Sequence, residues 1–196
     1  MEHCTSNHCN LSREALQWIN GELLGDGCLQ SSSSVSAYFT YGSKYLEYIN
    51  YVAGMLSGFG VRQVGKIYSR RTCTLSYSYC SAAYVELFPV WMWWYMYGGK
   101  QVPKDIELTP LTCRQWYIGD GYLCKSPIRA TSILLSTCGF PPVDNLWLVH
   151  ELKQLGFQVT HQPTNNTIHI SAYSTKDFLT YIGECPVECY KYKWEY

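Results

Sequence analysis

The chain has 196 residues, of which 47% are hydrophobic and 16% aromatic, and this composition excludes a disordered protein. Fifteen basic and fifteen acidic residues give a formal net charge of zero, so overall charge does not indicate a nucleic-acid partner. No apolar run approaches the roughly 18 residues that a membrane-spanning helix needs, and residues 1–10 lack the apolar core of a signal peptide. We therefore expect a cytoplasmic protein that does not enter a membrane.

The elements of the first half follow from hydrophobic spacing and from breaker residues. Residues 1–10 are predicted to be a loose tail, and Ser12 is a good N-cap for a helix that carries apolar residues at helical spacing. The elements predicted after this helix are strands on either side of residues 31–34, a helix over 44–56, strands over 64–68 and 73–79 with a turn at 69–72, and a helix over 82–88 that ends before Pro89.

The second half repeats this plan after a linker that is rich in glycine and proline. Thr109 is the predicted cap of its first helix, and Pro110 suits the first turn. The later elements are predicted as short strands, a helix from Pro141 through Leu155, a turn at 163–166, a strand over 166–171 and a helix over 175–182. The predicted organisation is a tail (1–10), a first half (11–97), a linker (98–109) and a second half (110–196).

One motif opens both halves. Residues 19–27 are an apolar segment that ends in Gly-Asp-Gly with Asp26 at its centre, and residues 114–121 are a second such segment with Asp120 at its centre. The two aspartates are 94 residues apart, so each stands at the same point of a tandem repeat. The fold class that we predict is α+β, with two pseudo-symmetric halves of order α-β-β-α-β-β-α.

Two glycines of the first motif helix lie on one face, because Gly21 and Gly25 are four residues apart. Each glycine costs a helix roughly 1 kcal/mol relative to alanine, and the close approach of another backbone is the simplest compensation. The second motif helix, with Gly119 at the position of Gly25, is the candidate neighbour. We therefore predict that the two motif helices pack side by side.

This packing brings the two motif carboxylates together at the ends of their helices. Converging carboxylates need a cation or a shared proton to offset their repulsion, and a magnesium ion with oxygen ligands is the usual solution. A single Gly-Asp-Gly is better explained as a helix-terminating turn. Two copies at the same repeat position favour a metal site at Asp26 and Asp120.

Ten cysteines are many for a reducing compartment, but their spacing is not that of a metal site. His3, Cys4, His8 and Cys9 form at most half of a zinc site. Cys185 and Cys189 could bridge to each other or to the first tail. The default interpretation is that the cysteines are small buried hydrophobic residues.

These motifs make the chain resemble the LAGLIDADG homing endonucleases of the single-chain, two-motif type that archaeal introns encode. The resemblance covers nearly the whole chain and rests on residues 21–27, on residues 108–111 leading into 116–121, and on residues 100–104 of the linker. It implies saddle-shaped antiparallel sheets that lie along the major groove of DNA, with the motif helices at a central interface. The implied activity is site-specific cleavage of double-stranded DNA that leaves 3′ overhangs.

The resemblance also implies the metal ligands and the catalytic groups. Mg²⁺ would be bound by the carboxylates of Asp26 and Asp120 and by the backbone carbonyls of Gly25 and Gly119. Mn²⁺ is expected to substitute, and Ca²⁺ to bind without supporting cleavage. A basic residue near the end of each half would polarise the scissile phosphate: Lys100 matches in the first half, and Lys193 or Lys191 in the second, where a solvated surface lysine is the alternative.

Two features depart from the family pattern. Many members carry glutamine at the end of the second strand, where Tyr41 and Cys138 stand here, and Gln115 replaces the first glycine of the second motif. The rival reading is a non-cleaving DNA-binding protein or an intron RNA maturase on the same fold. A third reading is a duplicated α+β domain whose Gly-Asp-Gly turns are structural and bind no metal.

Sequence readout is expected from polar side chains on the concave face of each sheet, because arginine and lysine pair with guanine edges and glutamine with adenine. The basic residues of the predicted strands and turns could form one basic face on an otherwise neutral protein. A monomer with two different halves should bind an asymmetric DNA target. The candidates are Gln30, Ser32, Ser34, Tyr38, Arg62, Lys66, Tyr68, Arg70 and Arg71 in the first half, and Lys125, Arg129, Thr131, Gln158, His161, Gln162 and His169 in the second.

Overall fold

The computed structural model describes residues 7–31, 33–71, 75–128 and 130–196, without the side chains of residues 68–71. The chain forms two compact units. One contains the chain up to Leu16 together with Asp26–Gly99, and the other contains Gln17–Gly25 together with Lys100–Tyr196. One boundary of the units therefore lies in the first motif helix, between Leu16 and Gln17, and the other lies in the first motif, between Gly25 and Asp26, so most of this helix belongs to the second unit.

The first unit is built on a four-stranded antiparallel sheet with strand order β1-β2-β4-β3. Two helices pack on this sheet, and their buried side chains, Tyr48, Val52 and Trp94 among them, form the core with Phe39 of the second strand. The elements are α1 (Arg13–Leu24, which begins in this unit), β1 (Cys28–Ser31), β2 (Ala37–Ser43), α2 (Leu46–Gly58), β3 (Tyr68–Arg71), β4 (Leu75–Cys80) and α3 (Leu87–Tyr95).

The second unit repeats this topology, with strand order β5-β6-β8-β7. Its elements are α4 (Pro110–Asp120), β5 (Gly121–Cys124), β6 (Ser132–Leu135), α5 (Pro142–Gln154), β7 (Val159–Gln162), β8 (Thr167–Ile170), α6 (Ala172–Ile182) and a C-terminal 3₁₀ helix (Glu188–Lys193). The predicted α+β class and the predicted helix and strand order of each half are confirmed. No helix in the described part of the chain has the length and apolar character that crossing a membrane requires.

Both motif helices begin where their caps predict. The Ala15 N–H donates to Ser12 Oγ at 3.1 Å, and the Thr112 N–H donates to Thr109 Oγ1 at 3.2 Å, with Pro110 in the first turn of α4. These bonds satisfy N–H groups that have no partner inside the helix.

The predicted helix over residues 82–88 is wrong. The helix in this region, α3, begins at Leu87 and runs past Pro89 to Tyr95. A proline in the first turn removes no helical hydrogen bond, because the first N–H groups of a helix have no acceptor within it. Pro89 therefore belongs to the start of a helix rather than marking the end of one.

The predicted position of the third strand is also wrong. The strand lies at Tyr68–Arg71 instead of residues 64–68, and residues 72–74 lie outside the described part of the chain. Gly65 has φ of +71°, a left-handed conformation that interrupts an extended chain. The polypeptide can enter the sheet as a regular strand only after this turn.

The N-terminal segment is held in place over its described residues. The His8 ring lies 2.7 Å from the Glu86 carboxylate, and the Cys9 N–H donates to the same carboxylate at 3.1 Å. Burial and the adjacent Glu86 carboxylate raise the pKa of the Cys9 thiol to about 12. The prediction of a loose tail is therefore wrong for residues 7–10, while His3 and Cys4 of the zinc alternative lie outside the described residues.

Candidate functional site

The two motif helices pack at their glycines within the second unit. A Cβ atom added to Gly21 would lie 2.6 Å from the Thr112 carbonyl oxygen and 2.8 Å from Gln115 Cβ. One added to Gly25 would lie 3.2 Å from Gly119 Cα. The prediction that the second motif helix compensates the glycines of the first is confirmed.

Gln115 fits where the family pattern has glycine because Gly21 leaves room for it. Its side chain is fully buried, and Nε2 donates to Glu22 Oε1 at 2.7 Å. The substitution in the second motif is therefore matched by two residues of the first, a glycine that provides space and a carboxyl group that provides an acceptor.

We predict that Gln115→Ala destabilises the protein by about 2 kcal/mol, because it deprives the buried Glu22 carboxyl of this donor and leaves a cavity. Urea unfolding at pH 7 measures the effect. Gln154→Ala, at an exposed glutamine at the end of α5, should change stability by no more than about 0.5 kcal/mol. Equal stabilities of the two variants would contradict the role of the Gln115–Glu22 bond.

The motif aspartates end their segments at matching positions. Asp120 is the last residue of α4 and is half-buried, and its carbonyl accepts from the Ser136 N–H at 2.8 Å, which ties the helix end to the chain just after β6. Asp26 directly follows Gly25 and is exposed. That the two carboxylates converge stays a prediction.

The carbonyl groups that precede both aspartates bind lysine ammonium groups. Lys100 Nζ donates to the Gly25 carbonyl at 3.0 Å. Lys193 Nζ donates to the carbonyls of Ile118 at 2.5 Å and Gly119 at 3.3 Å. Both contacts lie within the second unit, and each places a positive charge at the C-terminal end of a motif helix, where the helix dipole favours a cation.

Of the two lysines offered for the second half, the geometry selects Lys193. Its side chain is only 6% exposed, and its own carbonyl accepts from the Tyr117 hydroxyl at 2.6 Å. Lys191 is exposed and pairs with Glu188, and this hydrogen bond raises the pKa of the Lys191 ammonium. The catalytic roles of Lys100 and Lys193 stay predictions, and what the structure shows is the contact of both ammonium groups with carbonyls beside the motif aspartates.

The donors at these helix ends fit a hard divalent cation. Carboxylate and backbone carbonyl oxygens are the ligands that Mg²⁺, Mn²⁺ and Ca²⁺ accept, and the carbonyls of Gly25 and Gly119 already bind positively charged groups. No cluster of three His, Cys, Asp or Glu side chains occurs among the described residues. A metal at either motif would therefore use backbone oxygens as well as the aspartate.

The described cysteines form neither disulfides nor a metal cluster. Cys185 and Cys189 are not joined by a disulfide. Cys113 is fully buried and Cys138 is exposed, while the other described cysteines are partly buried. The default interpretation of a small buried residue therefore holds fully for Cys113 and in part for most of the others.

The structural counterpart of Tyr41 is Leu135 and not Cys138. Cys28 and Tyr122 each lie two positions after their motif aspartate, and they pair with Thr40 and Leu134, respectively. The residues that follow in β2 and β6, Tyr41 and Leu135, are therefore equivalent. Tyr41 is buried, Leu135 is fully buried, and Cys138 is exposed. The assignment of Cys138 is wrong, because matching the two halves by sequence placed the equivalent position three residues too far along the chain.

The first unit brings some of the predicted DNA-contacting residues together. Gln30 and Tyr38 are directly paired across β1 and β2, and the Tyr38 hydroxyl donates to Gln30 Oε1 at 2.6 Å. Ser34, Arg62 and Lys66 are exposed but lie outside the strands. Ser32 lies outside the described residues, and so do the side chains of Tyr68, Arg70 and Arg71 in β3.

One face of the second sheet carries its exposed and half-exposed residues. This open face includes Tyr122, Leu134, Thr160 and His169, which are paired across the four strands. A cavity of about 690 Å³ is lined by residues that include His169, Ser132 and the exposed Lys125. Gln158 is exposed just before β7 and Thr131 is half-buried just before β6, while Arg129 lies outside the described residues.

The predicted placement of His161 and Gln162 on one face is wrong. Neighbouring residues of a strand point to opposite faces. His161 pairs with the fully buried Ile168, and its ring contacts Asn166 Oδ1 at 2.9 Å, so it lies on the face opposite His169. Gln162, the residue after His161 in β7, is exposed.

Paired motif helices, each leading into a four-stranded antiparallel sheet, define the LAGLIDADG class of proteins. The model of the LAGLIDADG DNA endonuclease family matches residues 16–178, and the chain belongs to this family. The uncharacterized protein MJ1098 of Methanocaldococcus jannaschii is 31% identical over 151 residues, which are 74% of this chain. The chain spans 58% of the length of that archaeal relative.

Solved structures share the fold at low sequence identity. The homing endonuclease I-WcaI bound to its DNA recognition sequence has a TM-score of 0.77 at 16% identity, over 94% of this chain and 87% of that one. I-DmoI in complex with DNA and Ca has a TM-score of 0.52 at 14% identity, over 87% and 92%. The N-terminal LAGLIDADG domain of DUF199/WhiA has a TM-score of 0.54 at 16% identity, over 89% and 86%.

Proposed function

We propose that this protein is a homing endonuclease that makes a double-strand break at a long asymmetric DNA site and leaves 3′ overhangs. The observation that carries the proposal is the repeated contact of a lysine ammonium with the carbonyl that precedes a motif aspartate, at Gly25 and again at Gly119. Family membership and the presence of both aspartates support it.

In the proposed mechanism, Asp26 and Asp120 supply carboxylate oxygens, and Gly25 and Gly119 supply carbonyl oxygens, to bound Mg²⁺. Such ions activate the attacking water and stabilise the leaving oxygen when they are bound. Mn²⁺ should substitute, and Ca²⁺ should support binding alone. The structures of I-DmoI with DNA and Mn and with DNA and Ca are consistent with this use of cations in a protein of the same fold.

Lys100 and Lys193 would each neutralise the phosphate that is cut at their own motif. A lysine ammonium near the scissile phosphate offsets the negative charge that develops during the displacement. Lys193 is held by carbonyl groups in a buried position beside the second motif. Each lysine then serves one DNA strand.

The DNA would lie against the open face of each sheet. It would contact Gln30 and Tyr38 in the first unit, and Lys125, Gln162 and His169 in the second. Many of the candidate readers are hydroxyl or amide side chains, which favours readout that is partly mediated by water. I-WcaI, described with its DNA recognition sequence, supports this choice of partner. The two halves differ in these residues, so a monomer should bind an asymmetric site.

The first test is to incubate the protein with a library of long random duplexes in Mg²⁺, and separately in Ca²⁺, and to sequence the ends that form. We expect defined cuts with a fixed 3′ stagger in Mg²⁺ only, and none with Asp26→Asn. Selection of bound sequences without cuts in either ion, or in Mn²⁺, would overturn the proposed nuclease activity.

A second candidate function is DNA or intron RNA binding without cleavage. The specific observation in its favour is that Tyr41, which we match to a glutamine of many family members, and its register counterpart Leu135 both lack an amide. The library experiment separates the two functions, and adding an RNA pool to the binding arm tests the maturase reading.

A further inference from the structure

The carboxylate of Asp144 holds the segment that carries Lys100. Asp144 lies in the first turn of α5 and is 4% exposed. Its Oδ2 accepts from the Val102 N–H at 2.9 Å, and its Oδ1 accepts from Lys104 Nζ at 2.5 Å. One buried carboxylate thus binds both the backbone and a side chain of residues 100–104.

This segment is fixed on both sides of Val102. Val102 itself is 3% exposed, and Lys104 also lies over the Trp147 ring at 5.0 Å. Lys100 precedes Val102 by two residues and reaches the Gly25 carbonyl. Only two residues separate the fixed Val102 N–H from Lys100, so the chain between them has little freedom. The contact with Asp144 therefore restricts the position of Lys100 Cα.

The charge of Asp144 is suited to this task. A carboxylate in the first turn of a helix is favoured by the helix dipole, and the Lys104 ammonium is a second compensating charge. A buried carboxylate with two donors is energetically acceptable, and without it the buried Val102 N–H would lose its acceptor. The anchor is therefore rigid rather than a loose surface ion pair.

We propose that Asp144 is a positioning residue for Lys100 and, through it, for cleavage at the first motif alone. The inference rests on the proposed function of Lys100. It predicts an effect that a general loss of stability does not produce, namely slower cutting of one DNA strand. Lys193 is held by the end of α4 and by the Tyr117 hydroxyl, whereas Asp144 holds Val102 and Lys104, so the other strand should be cut normally.

The experiment compares strand-specific, single-turnover cleavage in Mg²⁺ by four variants. Asp144→Ala should slow one strand roughly 10- to 100-fold, the scale expected when a catalytic group is displaced by about 1 Å. Lys100→Met should slow the same strand, and Lys193→Met the opposite one. Asp144→Asn keeps an acceptor for Val102 but loses the charge, so its effect should be smaller than that of the alanine variant.

The matched control is Asn145→Ala, which alters the next residue of the same helix. Asn145 is fully buried and its amide donates to the Thr137 carbonyl at 3.1 Å and to Asn166 Oδ1 at 2.8 Å, so its removal also disturbs the second unit. It has none of the contacts with residues 100–104 that Asp144 makes. We expect it to lower the melting temperature without a strand bias.

Amide hydrogen exchange at Val102 tests the anchor independently of activity. Exchange should accelerate in Asp144→Ala and not in Asn145→Ala. A protein that cuts no DNA would refute the proposed function, and the exchange measurement would still decide whether Asp144 fixes the segment. Unchanged exchange at Val102, or equal slowing of both strands by Asp144→Ala, overturns the inference.

Discussion

Asp120→Asn is expected to reduce cleavage of the target by at least about a thousandfold, which corresponds to roughly 4 kcal/mol of lost transition-state stabilisation. The amide keeps the shape of the side chain but is neutral, so it is a much poorer ligand for Mg²⁺. The helix itself should be little changed, because Asp120 is the half-buried last residue of α4. The loss should therefore appear in the chemical step.

Three measurements on this variant separate chemistry from folding. Single-turnover cleavage in Mg²⁺ gives the rate, target binding in EDTA gives the metal-free affinity, and thermal unfolding gives the stability. We expect only the rate to change substantially. Asp177→Asn, at an exposed aspartate of α6, is the matched control and should cut normally. Cleavage by Asp120→Asn within tenfold of the parent protein would argue against Asp120 as a metal ligand.

Gly121→Ala is expected to destabilise the protein by about 3 kcal/mol or more. The added Cβ would overlap Tyr117 Cδ2 and lie 2.6 Å from Tyr117 Cε2 and 2.7 Å from the Tyr117 carbonyl oxygen. This ring cannot move easily, because its hydroxyl donates to the Lys193 carbonyl and its face meets the edge of Trp194 at 5.0 Å between centroids. Inserting a methyl into such a site costs about 1–3 kcal/mol, and sometimes more.

Thermal unfolding tests this value, since about 3 kcal/mol should lower the melting temperature of a chain of this size by roughly 6–12 °C. The matched control is Gly139→Ala in the same unit, where an added Cβ would meet no atom within 4 Å. We expect this control to stay within about 1 °C of the parent protein. A Gly121→Ala protein that is as stable as the control would show that the Tyr117 ring adapts.

Much of the fold followed from local patterns in the chain. Ser12 and Thr109 are capping residues whose effect depends on only three following residues, so the starts of both motif helices were predictable. Gly21 and Gly25 indicated a close helix neighbour because their spacing alone places them on one face. The two motifs, read together with the repeat plan and residues 100–104 of the linker, were enough to predict the family.

Local patterns failed where the meaning of a residue depends on its neighbours in space. A proline such as Pro89 can stand in the first turn of a helix or just after its last turn. Only the start of α3 at Leu87 shows that Pro89 lies in a first turn. Cys138 was matched to Tyr41 in error, and Leu135 was missed, because strand register depends on hydrogen bonds between strands. A one-residue change of position moves a side chain to the other face, as for His161.

The sequence by itself determined the repeat, the two motif aspartates and the class of fold, because these depend on residue identity and on short-range spacing. Only the tertiary structure decided that Lys193 rather than Lys191 reaches the second motif, that Gly21 and Glu22 accommodate Gln115, and that Asp144 anchors the segment of Lys100. Each of these pairs is separated by tens of residues along the chain. Packing brings them within 3 Å, and no local propensity encodes that distance.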